Sequence, residues 1–206
     1  MASKGEETRQ RILDAAQGHV MSKGFAGTSI DDILKETGLT KGAFFHHFKG
    51  KGDLARTLVE RYALGDLKMF ETFAEEAEAE EQDPLEQMMI FLRKFEAYIC
   101  RSEDPAPGCM YAVYTYESHI FDPGVLDFVS DTLRQWTGIY VRKYQEVIDR
   151  YPPRLNVTAR QLAELTVSVV EGGLILQRAW QDTGVTCRQS EQLRNYLILL
   201  FVGVEN

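Results

Sequence analysis

The stretch TSIDDILKETGLTKGAFFHHFKGK, residues 28–51, decides the fold of this chain. It reads as two short helices joined by a tight turn. Ser29 stands where it can cap the first helix. Asp32 follows three places on, the spacing of a capping box with Asp in place of the usual Glu or Gln. Ile30, Ile33 and Leu34 recur at i, i+3 and i+4 and give one apolar face. Gly38 ends the helix, because only Gly takes the left-handed conformation there without steric cost. Leu39 can plug the corner. Thr40 caps the second helix, and Phe44 and Phe48, four apart, form its inner side. The outer side carries Lys41, Ala43, His46 and His47, with Phe45 at the boundary and Lys49 and Lys51 just beyond. A short helix with a cationic and small outer face, held by a preceding helix across a Gly-containing turn, is the helix-turn-helix arrangement.

The longer run FAGTSIDDILKETGLTKGAFFHHFKGKGDL, residues 25–54, resembles the N-terminal DNA-binding domain of the TetR family of bacterial transcriptional repressors. Several elements stand in register: a first helix ending at Gly24 and Phe25, the Thr-Ser-Ile start, the Gly-Leu-Thr-Lys-Gly turn, and the block of aromatic, aromatic, His, His, Phe, Lys. Phe45 departs from the pattern, since the family usually has a Tyr there whose hydroxyl reaches a phosphate. The match spans about the first quarter of the chain, and the remainder agrees with the family in outline only.

The resemblance implies an all-α protein with a helix-turn-helix DNA-binding domain over residues 1–52. A larger helical effector-binding and dimerisation domain would occupy residues 53–206. It implies a homodimer on double-stranded DNA, with two copies of the 41–48 helix in successive major grooves of a palindromic operator. Thr28, Thr40, Lys41, His47, Lys49 and Lys51 are then expected to hold phosphates. Ala43, Phe45 and His46 are expected nearest the base edges, with Ala43 able to meet a thymine methyl, and Gly42 is expected at the same DNA-binding surface. A small-molecule effector is expected to release the operator. An activator or architectural DNA binder with the same head is the alternative.

Charge is distributed in keeping with this reading. The 206 residues carry a formal charge of −8, which alone argues against nucleic acid. Residues 1–60, however, hold nine Lys and Arg against eight Asp and Glu, and three of the four His. The excess of acid lies in the rest of the chain, where it is repelled by DNA or simply solvated. The polar residues 1–7 give no secretory signal. The longest apolar run, residues 196–204, is far short of the roughly 20 residues that a spanning helix needs, so no membrane partner is expected. Three cysteines, Cys100, Cys109 and Cys187, show no C-x-x-C spacing, and an odd, sparse count fits a reduced cytoplasmic protein.

Along the chain, residues 9–23 read as an amphipathic helix capped by Thr8, with Ile12, Leu13, Ala16 and Val20 on one side. Its Lys4, Arg9 and Arg11 are open to phosphate contact or plain solvation. A long helix runs from Lys51 to about Glu80, and its N-terminus can hold a DNA phosphate. The acidic run over residues 71–86 reads as a solvated helix end. Asp83-Pro84 restarts a helix, and residues 105–108 form a loop. Further helices span residues 125–151, then from Asn156 or Thr158 to near Trp180 with Gly184 closing, then 190–201. No segment alternates with period two, so no strand is expected.

Two features of this second part concern function. Phe91, Phe95, Tyr98, Met110, Tyr114, Trp136, Tyr140 and Trp180, with Glu117, His119, Glu171 and Gln177, are candidates to line an effector pocket between helices, or are core. Residues 167–176 and 196–204 are unusually apolar, and Gly172-Gly173 admits a close helix. Val167, Gly172, Leu176, Leu193, Leu197 and Leu200 are therefore expected at a two-fold dimer interface. Cys109, at a helix start, is either inert and buried or a redox sensor. No P-loop, G-x-S-x-G, H-E-x-x-H or E-x-x-H is present, so no catalytic site, cofactor or metal is expected.

Overall fold

The computed structural model describes residues 3–100 and 108–202; the loop expected over residues 105–108 lies outside them except for Gly108. All regular structure among the described residues is helical. The helices are α1 (Lys4–Lys23), α2 (Ile30–Thr37), α3 (Lys41–His47), α4 (Lys51–Glu80), α5 (Pro84–Ile99), α6 (Met110–Tyr116), α7 (Pro123–Arg150), α8 (Ala159–Trp180) and α9 (Val185–Phe201), with a 3-10 turn at Ser118–Ile120.

Local chemistry sets most boundaries. The Ser29 hydroxyl accepts the Asp32 N–H and the Asp32 carboxylate accepts the Ser29 N–H, which completes the capping box of α2. Gly38 ends α2 at φ 67°. The Thr40 hydroxyl accepts the Ala43 N–H to start α3. Asp83 accepts the N–H groups of Leu85 and Glu86, and Pro84 opens α5. Two starts lie well before the expected ones, and α7 begins slightly early at Pro123. Helix α1 begins at Lys4 under a Ser3 cap, while the Thr8 hydroxyl donates to the Lys4 carbonyl inside the helix instead of capping it. Helix α9 begins at Val185, not near Ser190, and Gly184 is its N-cap. Helix α8 ends instead on Gln181 in the left-handed region, φ 54°.

The chain divides into two compact units, Met1–Gly65 with Gly108–Thr132, and Asp66–Pro107 with Leu133–Asn206. The unit that contains the helix-turn-helix thus also takes in α6, the 3-10 turn and the start of α7. Its core contains Ile12, Leu13 and Val20 of α1, Ile33 and Leu34 of α2, Phe44 and Phe48 of α3, and Leu54 and Leu58 of α4. Tyr114 of α6 is fully buried, donates its hydroxyl to the Ala55 carbonyl, and stacks on Phe121 at 4.3 Å. The core of the second unit is Phe70, Met88, Phe91, Leu92, Tyr140, Tyr144, Leu162, Leu193, Leu197, Leu200 and their neighbours.

The acidic run of α4 is engaged within the second unit. Lys94 pairs with Glu76 and Glu80, and the buried Lys143 ammonium reaches Glu78 at 3.0 Å. The cysteines depart from expectation: Cys100 and Cys187, 87 residues apart, are joined in a disulfide. Sequence spacing could not show this, because the pair is assembled by the packing of α5 on α9.

Candidate nucleic-acid interface

Helix α3 is short, and its orientation is fixed by what it buries. Phe44 is completely enclosed and Phe48 nearly so, with ring centroids 5.5 Å apart. Burying two aromatic rings on one side commits the other side outward. Thr40, Lys41, Gly42, Phe45, His46 and Lys49 are exposed, while Ala43 and His47 are half-buried. Positions 41, 42, 45 and 46 follow the helical repeat, so these exposed groups share one face, and Lys49 is exposed just beyond the helix end. Phe45, the large apolar side chain of this face, is 54% exposed. Lys41 reaches Asp31 at 3.1 Å, but both side chains are largely exposed and the pair is easily exchanged for a phosphate. An open hollow of about 400 Å³, lined by residues that include Ser29, Ile30, Asp31, Lys41 and Phe45, runs beside this face.

Two of the expected phosphate contacts are otherwise engaged. Thr28 is 2% exposed and its hydroxyl donates to the Gly24 carbonyl, so it fixes the turn between α1 and α2. Lys51 donates to the Phe25 carbonyl at 2.6 Å and lies 4.7 Å over the Phe25 ring. Burial holds its pKa below the usual lysine value, against the opposing pull of the Glu117 charge. Among the basic residues of α1, Arg11 donates to the Thr37 carbonyl at the end of α2, and Arg9 lies over the Phe48 ring. Lys4 is exposed.

The expected effector residues do not form one cluster. Phe95, Trp136, Tyr140 and Glu171 do come together, with Phe70, Val167 and Val170, around a cavity of only about 20 Å³. That space holds about one water molecule. Phe91 is buried beside it, 5.6 Å from the Tyr140 ring. Met110, Tyr114 and Glu117 belong to the other compact unit. Glu117 accepts the N–H groups of Phe25 and Ala26 at 2.8 and 2.9 Å, a role in the turn after α1 that its place in the sequence did not reveal. Gln177 is buried and accepts the Thr186 hydroxyl, which ties α8 to α9. Tyr98 and Trp180 are exposed, as is His119. Phe70 and Val170 were not foreseen as lining residues because their apolar spacing reads simply as core, and Val167 was expected at the dimer interface instead.

The expected interface residues divide as well. Leu193, Leu197 and Leu200 are buried in the chain's own core, and Val167 packs against that core. Gly173 is the glycine that permits close approach, since a Cβ there would lie 3.0 Å from the Thr186 Cα; around Gly172 there is open space. Leu176 is half-buried. The outward apolar residues are different: Leu165 and Ile175 on α8, and Ile198, Leu199 and Val202 at the end of α9. Cys109 is buried at the start of α6.

The comparisons with known proteins agree with this geometry. The profile of the family described as bacterial regulatory proteins, tetR family, matches residues 12–58, which span most of α1, all of α2 and α3, and the start of α4. The chain thus resembles the TetR family, whose DNA-binding domain it matches over residues 12–58. It is a DNA-binding regulator of transcription of the helix-turn-helix type. Among curated proteins, this chain is 25% identical over 194 residues to the uncharacterized regulator YxaF of Bacillus subtilis, covering 94% of this chain and 96% of that one. It is also 25% identical over 173 residues to the regulator LmrA of the same organism, covering 82% and 86%. Among solved structures, a TetR transcriptional regulator from Chloroflexus aurantiacus superposes with a TM-score of 0.79 at 28% identity, covering 96% of this chain and 98% of that one. A TetR-family regulator from Agrobacterium tumefaciens, 23% identical with a TM-score of 0.78, shares the fold over 94% and 98% of the two chains.

Proposed function

We propose that this protein is a homodimeric repressor that binds a palindromic operator through α3 and is released by a small, partly apolar effector. The observation that carries the reading is the exposed face of α3, where Lys41, Phe45 and His46 stand outward over a buried aromatic base, with Lys49 exposed just beyond the helix. Lys41 and Lys49 would neutralise phosphates, and Gly42, Ala43, Phe45 and His46 would meet the base edges. Residues 1–52 would supply the DNA contacts, and residues 53–206 effector binding and dimerisation, in the cytoplasm where operator DNA lies.

Dimerisation is supported by the outward apolar residues of two helices that pack on each other. Leu165 and Ile175 on α8 and Ile198 and Leu199 on α9 leave an uncovered apolar stripe. A second copy related by a two-fold axis would cover it with the same stripe. The effector would enter beside Phe95, Trp136, Tyr140 and Glu171, and the cavity there must enlarge to admit it. Binding that enlarged state better than the compact one is what would shift the population away from the operator-competent form.

The test is recovery of fragments from sheared source-genome DNA by purified protein near physiological salt, followed by sequencing. The reading predicts one enriched palindrome. Recovery of no preferred sequence, both directly and after unfolding, dialysis and refolding to strip any carried effector, would overturn it.

A further inference from the structure

Helices α5 and α9 are joined by two devices on one line. Glu96 and Cys100 lie four apart at the end of α5 and so share a face. Glu96 pairs with Arg194, both side chains largely buried, and Cys100 is bonded to Cys187 with 6.1 Å between Cα atoms. The disulfide is at the surface: Cys100 is exposed and Cys187 half-buried. Cys187 is the third residue of α9, where the helix N-terminus favours a thiolate. Eight residues after Cys100, at Gly108, the chain leaves the second compact unit for the first. There it forms α6 and presents Glu117 to the turn that follows α1.

We propose that Cys100 and Cys187 are a reversible thiol pair, a modification site for peroxides, whose oxidation state sets operator affinity. The inference rests on the regulator reading, because a protein that binds operator DNA works in a compartment where disulfides are not held by default. Surface disulfides in such a compartment are the labile, regulatory ones.

The chemistry balances with a hydroperoxide as oxidant. One thiolate attacks the peroxide oxygen, the O–O bond breaks, and the products are a sulfenic acid and, after protonation, an alcohol or water. The second thiol attacks the sulfenic sulfur, the S–O bond breaks, the S–S bond forms, and water leaves. The two sulfurs together lose two electrons and the peroxide gains them. A dithiol reductant reverses the step by thiol–disulfide exchange. In the oxidised form the end of α5 is tied covalently to α9; in the reduced form the Glu96–Arg194 pair remains as the tie between these two faces.

The experiment compares full-length protein reduced with dithiothreitol, oxidised with hydrogen peroxide, and reduced again. Peptide mapping without reductant reads the cross-link, and titration of a genomic fragment recovered by the protein reads affinity. The expected result is a Cys100–Cys187 cross-link that forms and reopens, with operator affinity changing about fivefold or more between the forms. Cys109→Ala keeps that response, and both Cys100→Ser and Cys187→Ser lose it while remaining folded by circular dichroism. A cross-link that does not form, one that resists dithiothreitol, or equal affinity of the two forms would overturn the proposal and leave the regulator reading intact. Failure of both forms to prefer any DNA sequence would overturn both.

Discussion

Glu117 holds the backbone of Phe25: its carboxylate accepts the Phe25 N–H at 2.8 Å across 92 residues of sequence, and the Ala26 N–H at 2.9 Å. Gly24, just before them, has φ 79°, a conformation that side chains rarely adopt, and a Cβ there would collide with the Glu117 carboxylate. Glu117→Ala leaves two donors without their charged acceptor and should cost about 2 kcal/mol. Glu117→Gln keeps an acceptor and should cost less. Gly24→Ala, strained by both φ and contact, should destabilise by more than about 1 kcal/mol. Urea unfolding of the three variants checks the order.

Lys49 and Lys51 are two residues apart and should behave differently on DNA. Lys49 is exposed just beyond α3, so Lys49→Ala should reduce the salt dependence of operator binding by about 0.9 in the log–log slope. Lys51 is engaged with the Phe25 carbonyl and ring, so Lys51→Ala should lower stability and leave that slope nearly unchanged. Operator titrations across a salt series, paired with urea melts, separate the two roles.

Acid should weaken the helix-turn-helix through Asp32. Hydrogen bonds from Lys23, then from the Ser29 backbone and hydroxyl, hold its carboxyl well below the usual value of 3.8. The unfolded chain therefore takes up the proton first, at about pH 4, and the stability contributed by the ionised form is lost as pH falls further toward the folded pKa. Asp32→Asn should show a shallower loss of stability below about pH 4 than the parent protein. Urea midpoints measured down the acid range test this, and parallel curves would contradict it.

The two apolar sides of α9 make opposite predictions. Leu197 is buried in the chain's own core, and Leu197→Ala should cost about 2–5 kcal/mol. Leu199 is half exposed on the outward stripe, and Leu199→Glu should leave folding cooperative while converting dimer to monomer. Sedimentation velocity and thermal melts of both variants check the assignment.

The contrast on α9 also shows how far sequence reasoning reaches. The helix-turn-helix was legible because its determinants are local: Ser29 with Asp32, Gly38, Thr40, and Phe44 with Phe48 lie within one or two turns of each other. An apolar period identifies a buried side but not whose core buries it, so Leu193, Leu197 and Leu200 read as interface residues. Glu117 with Phe25, and Cys100 with Cys187, are pairings across 92 and 87 residues that no periodicity encodes. Helix α9 starts earlier than expected because residues 185–189 carry no apolar repeat and are fixed by Thr186 against Gln177 and Gly173. At the DNA-facing side, the exposure of Lys41, Phe45 and His46 follows from the two buried phenylalanines, whereas the partners of Thr28 and Lys51, the backbone of Gly24 and Phe25, are not encoded in any local pattern.

The most direct test of the central claim, that two copies of α3 read one operator, is a high-resolution footprint on a fragment the protein enriches from its genome. The account predicts two protected half-sites related by a dyad, with centres about one helical turn or a multiple of it apart. It further predicts that the footprint is lost when Lys41, Phe45 and His46 are together replaced by Ala in protein that remains folded. A single asymmetric footprint, or one that survives those replacements, would contradict it.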